Sequence, residues 1–63
     1  MVGSAWSAKD QSEHYVLYVV SEALSGTPLW RCLVLMDSLY LEDVGSFVNY
    51  HEDELAASFE RVG

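Results

Sequence analysis

Six consecutive residues, Tyr15 to Val20, are apolar, and five of them are β-branched or aromatic. Wound as a helix, such a run would be apolar around its whole circumference. As a strand it presents two apolar faces, which suits a central position in a sheet. The pattern predicts a strand within residues 13–24. Ser25-Gly26-Thr27-Pro28 then interrupts it with the only proline of the chain, a glycine and two hydroxyl residues, the composition of a turn. A second, largely apolar run from Trp30 to Met36 ends at Asp37-Ser38. Two such runs around a short turn predict a hairpin joining residues 14–24 to 29–37. One rival stays open: Thr27 as N-cap, with Pro28 at the first helical position, would start a helix carrying Leu29, Leu33, Met36 and Tyr40 on one face.

Further along, Leu39 to Val44 reads as a short strand or an extended connection, and Gly45 breaks the run. Ser46 to His51 alternates apolar and polar residues at several positions and predicts another strand. Glu52, Asp53 and Glu54 stand where the positive end of a helix dipole favours acids, and Leu55, Phe59 and Val62 follow at i, i+4 and i+7. They predict a C-terminal helix closed by Arg61 and Gly63, or a turn or two of helix with Phe59–Val62 returning as a strand. Residues 1–12 show no periodicity and read as a flexible arm, with Trp6 as the one side chain able to dock it. Residues 13–63 then form a single small domain. The fold class expected is mostly β: a small barrel or curled antiparallel sheet with a short C-terminal helical turn, a small α or α+β domain being the alternative.

Length sharpens this picture. A 63-residue chain buries only about 60% of the surface its unfolded form exposes, and chains of this size lean on disulfides, metals or partners. Cys32 is the only cysteine, so neither an internal disulfide nor a Cys-rich zinc site is available. With 51% of residues hydrophobic, part of the apolar surface is expected in a homo-oligomeric contact, for which Tyr15, Tyr18 and Trp30 are the candidate anchors. Three basic residues against ten acidic ones, a formal −7, argue against direct binding to nucleic acid or to an anionic membrane surface. No targeting signal appears, no apolar run approaches the roughly 20 residues of a membrane span, and the expected compartment is the cytoplasm.

Candidate chemistry is thin. His51-Glu-Asp-Glu-Leu55 resembles the opening of a zinc-protease helix, but Leu55 occupies the place of the second histidine. His51 and Glu54, with His14, would make a weak metal set, and an acidic first helical turn accounts for the same residues. Cys32 lies in an apolar run and reads as a buried, inert thiol. No glycine-rich phosphate loop exists, and no enzyme, metal or cofactor is expected. Glu42, Asp43, Glu52, Asp53 and Glu54 fall close together in sequence and are candidate contacts for a basic protein partner.

Trp30-Arg-Cys-Leu-Val-Leu35, Val44-Gly45-Ser-Phe-Val48, Glu54-Leu55 and Phe59-Glu-Arg-Val62 together resemble small SH3-like β-barrels of the kind found in short phage and actinobacterial proteins. Those barrels have a tryptophan-led central strand, a glycine-containing bend and a helical turn before the closing strand. The resemblance covers about three quarters of the chain and implies a binding module. It transfers no proline-peptide site. The function expected is a small acidic, non-enzymatic protein-interaction or structural module. The alternative is an acidic inhibitor that imitates DNA on a nucleic-acid-binding protein.

Overall fold

The computed structural model describes residues 1–10 and 14–63. Five strands, β1 (Ala5–Ala8), β2 (Tyr15–Glu22), β3 (Leu29–Asp37), β4 (Phe47–His51) and β5 (Phe59–Arg61), form one antiparallel sheet in the order β4-β3-β2-β1-β5. A short helix, α1 (Glu52–Ser58), connects β4 to β5. The fold is mostly β, and the sheet stays open, with β4 and β5 as its edges.

The expected hairpin is the β2–β3 pair. Gly26 turns the chain at φ +80°, in the left-handed region that favours glycine, and its N–H donates to Glu22 Oε2. Thr27 does not cap a helix. Its hydroxyl donates to the Leu24 carbonyl at 2.7 Å, closing the turn, and Leu29–Asp37 pairs on both sides as β3. Register slips at Val20 and Leu35 mark bulges that sharpen the twist of this long pair.

Two expectations are corrected. The segment expected as a flexible arm contains β1, which lies between β2 and β5; residues 11–13, the end of that arm and the start of the expected first strand, lie outside the described residues. Ladder hydrogen bonds on both edges replace the missing hydrophobic signal, and Ser4 locks the start. The buried Ser4 hydroxyl accepts from Trp6 Nε1 at 2.8 Å and donates to the Met1 carbonyl. The Leu39–Val44 segment is not a strand, because Asp37 Oδ1 accepts from the N–H groups of both Leu39 and Tyr40 at 3.0 Å. That bond pattern diverts the chain into a 3-10 turn at Leu41–Asp43.

Leu17, Val19, Cys32, Val34, Leu55 and Phe59 form the buried core, with Trp6, Tyr15, Trp30, Val48 and Tyr50 packed against it. Laid flat, the two edge strands would be about 19 Å apart, four strand spacings. Yet the rings of Tyr50 on β4 and Phe59 on β5 meet at 5.2 Å, and Tyr15 on β2 meets Phe59 at 5.9 Å. The sheet is therefore strongly curled, and Phe59 and Leu55 fill its concave side. The helical stripe read as Leu55, Phe59 and Val62 stops at Phe59, where the chain becomes extended and leaves Val62 exposed.

Phe59→Ala removes the ring that bridges both edges, and a buried Phe→Ala change costs about 3–5 kcal/mol. A domain of this length holds roughly 3–9 kcal/mol in total, so the variant is expected to be largely unfolded in urea titration, while Val62→Ala stays within about 0.5 kcal/mol of the parent. Deleting residues 1–8 strips β5 of its only pairing partner among the described residues; loss of the cooperative unfolding transition is expected, and a truncated chain that keeps it would show β1 to be dispensable.

Candidate interaction surface

Alternation along the strands divides the residues between two faces. Leu17 and Val19, Cys32 and Val34, and Val48 and Tyr50 point into the curl. Val16 and Tyr18, Arg31, Leu33 and Leu35, and Phe47 and Asn49 occupy the convex face. There the register sets Tyr18 opposite Leu33 and Leu33 opposite Phe47, an apolar row across three strands. Tyr18, Leu35 and Phe47 are 38%, 46% and 51% exposed, more than a sheet packed on both sides would leave. The Arg31 guanidinium lies 4.3 Å above the Phe47 ring, stacked on it as a cation on a π face. Arg31, Phe47 and Asn49, with Ala23, also line an open depression of about 260 Å³. Across β1 to β4 this face carries no carboxylate, although the chain has ten acids; Glu60, opposite Ser7, stands at the β5 edge.

Of the three expected self-association anchors, Tyr18 alone lies on this face. Tyr15 and Trp30 are half-buried on the concave side, against the core. The Trp30 Nε1–H is itself buried with no acceptor among the described residues. Leu33 and Phe47 were missed from sequence, since only the strand register puts them in line with Tyr18.

The five candidate acids do not gather. Glu42 and Asp43 sit in the 3-10 turn beyond the Asp37 end of β3. Glu52, Asp53 and Glu54 sit in the first turn of α1 at the Leu29 end, where Glu52 N–H donates to the Pro28 carbonyl. The nine residues of β3, on the order of 25 Å from end to end, separate the two groups. His51 is the N-cap of α1: its Nδ1 accepts from Asp53 N–H, and Glu54 Oε1 accepts from His51 N–H at 2.9 Å, a capping box. The Asp53 carboxylate lies 3.6 Å from the same Nδ1. No group of three or more His, Cys, Asp or Glu able to hold a metal occurs among the described residues.

Cys32 is fully buried, which pushes its thiol above the ordinary value. At the Asp37 end, Tyr15, Asp37, Tyr40 and Asp43 line a second open pocket of about 250 Å³. The Tyr15 and Tyr50 hydroxyls share a long hydrogen bond of 3.4 Å. Burial, that bond and the nearby charges of Tyr50, Asp37 and Asp43 hold the Tyr15 phenol well above its usual range.

No family model matches the chain, and no match was found among the curated proteins or the solved structures compared with it. Among the described residues no helix is long and apolar enough to cross a membrane.

The Tyr15 environment has a measurable consequence. Above the ordinary phenol value of 10.0, unfolded Tyr15 releases a proton that the folded chain retains, so stability falls as pH rises. Urea midpoints measured at pH 8 and pH 11 should therefore differ less in Tyr15→Phe than in the parent; an unchanged difference would show that Tyr15 titrates alike in both states.

Proposed function

We propose that this chain is a small acidic, non-enzymatic protein-interaction module that works through the convex face of its sheet, and that a second copy of the chain is the occupant of that face. The observation that carries this reading is the registered row Tyr18–Leu33–Phe47 on a face free of carboxylates from β1 to β4. Two chains of charge −7 repel each other, and that repulsion is weakest where no acids face each other. A standard interface takes about 800 Å² from each partner, a fifth of the 4001 Å² accessible surface, which a whole sheet face supplies. A two-fold axis is the simplest way to pair identical faces.

The strand order β4-β3-β2-β1-β5, with the short helix between the fourth and fifth strands, supports an SH3-like reading in its open, unclosed form. No observation favours the DNA-imitating alternative, since the candidate acids occupy two separate ends of β3.

Sedimentation velocity at micromolar concentration is expected to give a species of twice 7.1 kDa that tightens as salt screens the acids. Phe47→Asp is expected to weaken it by about thirtyfold or more, the ~2 kcal/mol of an interface hot spot. A 7.1 kDa species in both low and high salt would refute the self-association.

A further inference from the structure

We propose that the outer edge of β4, from Phe47 to Asn49, docks an extended segment of a partner protein as a further strand of the sheet, a segment β-branched at its centre and carrying lysine or arginine on both sides. The site is the rim of the sheet and does not depend on the convex face.

Hydrogen-bond parity along β4 shows what that edge offers. Val34 N–H donates to the Ser46 carbonyl at 3.0 Å, and Glu52 N–H donates to the Pro28 carbonyl at 2.8 Å. Residues 46, 48, 50 and 52 therefore turn their backbone groups toward β3, and Phe47, Asn49 and His51 turn theirs outward. The outward N–H of His51 is taken by Glu54 Oε1. The N–H and C=O groups of Phe47 and Asn49 have no partner among the described residues, a ready template for another strand. The usual guards of an edge are missing here: β4 holds no Lys, Pro or carboxylate, and its register with β3 is unbroken. The opposite edge is guarded. On β5 the Phe59 N–H donates to the Leu55 carbonyl, Glu60 and Arg61 put charge on the strand, and Arg61 Nε donates to the Gly63 carbonyl.

Charge decides the occupant. Glu42 and Asp43 precede β4 at one end, and Glu52, Asp53 and Glu54 follow it at the other. A second β4 laid antiparallel, with Phe47 opposite Asn49 of the copy, would bring the Glu42–Asp43 end of each chain beside the Glu52–Glu54 end of the other. Acids would meet acids at both ends, a destabilising juxtaposition. A segment with basic residues on both sides turns the same two ends into attraction. Antiparallel pairing sets two of its residues opposite Phe47 and Asn49 and closes hydrogen bonds to both, with their side chains on the side of the half-exposed Phe47 ring. The residue between them lies opposite Val48 and points its own N–H away from β4. Backbone groups thus supply the docking, and the flanking charges supply the selectivity.

The probe is the peptide acetyl-Lys-Lys-Val-Thr-Val-Lys-Lys-amide, titrated to millimolar concentration against the full isotope-labelled chain by NMR. Saturable shifts of the Phe47 and Asn49 amide signals are expected, with hydrogen exchange of both slowed about tenfold near saturation. The counterpart with glutamate in place of every lysine should not bind. N-methylation of both valines removes the N–H groups aimed at β4 and should abolish binding, whereas N-methylation of the threonine should leave it. Asn49→Pro deletes one outward N–H at an edge position where proline is tolerated, and is expected to weaken binding about tenfold; the methylated peptides decide the matter on the parent chain should that variant not fold. Binding of the acidic peptide, binding that survives methylation of the valines, or Phe47 and Asn49 amides whose exchange the peptide leaves unchanged would overturn the proposal. Protection of those amides in the free chain that grows with its own concentration would overturn it too, by assigning the edge to a second copy. The convex-face dimer can fail in sedimentation while this titration succeeds, and the reverse.

Discussion

Everything in this molecule hangs on one side chain reaching across an open sheet. A five-stranded antiparallel sheet without barrel closure leaves two edges and a single concave side to bury, and 63 residues have little spare chain to cover it. Phe59 supplies the cover from the last strand. It meets Tyr50 from one edge and Tyr15 from the middle, so the curl is held by rings rather than by a closing ladder. Leu55, one helical turn earlier, is fully buried for the same reason. The helix α1 exists to deliver both: His51 and Glu54 cap its start, Lys9 satisfies two carbonyls at its end, and seven residues suffice to bring the chain back to pair with β1.

That constraint also explains what the sequence made legible. The β2–β3 hairpin was readable because its signals are local: a continuous β-branched run, a Gly-Thr-Pro turn, a second run. The shortness of α1, with a return strand after it, was readable as one of two outcomes because an acidic first turn announces a helix start. β1 was not readable. Ala5-Trp6-Ser7-Ala8 has no hydrophobic period, and its strand character comes from ladders to Tyr18–Val16 on one edge and Arg61–Phe59 on the other. Those partners are remote in sequence, and a hydrogen-bond ladder leaves no trace in composition.

The candidate surface was half legible for the same reason. A strand apolar on both faces implied an apolar surface outside the core, and Tyr18 was placed there from its own strand. Tyr15 and Trp30, named with Tyr18 as anchors, lie against the core, and alternation alone cannot tell which parity faces inward. The partners of Tyr18, Leu33 and Phe47, are set by register, and register depends on bulges at Val20 and Leu35 that no local rule fixes. The candidate acids show the reverse: neighbours in sequence, they are separated in space by β4, which carries the chain from the Asp37 end of β3 to its Leu29 end.

Charge then separates the two surfaces by kind. With only three Lys or Arg side chains, each occupied by a carbonyl or a ring, the carboxylates of Glu22, Asp37, Glu42, Asp43, Glu52, Asp53, Glu54 and Glu60 make no ion pair with Lys or Arg among the described residues. Unpaired acids at the surface cost little when solvated, but they rule out close approach of anything negative. They are absent from the convex face between β1 and β4, and two of them, Asp37 and Asp43, line the pocket at the Asp37 end. The negative charge is thus distributed by position: a sheet face from β1 to β4 without carboxylates, carrying Arg31, and an acidic, tyrosine-walled end at Asp37.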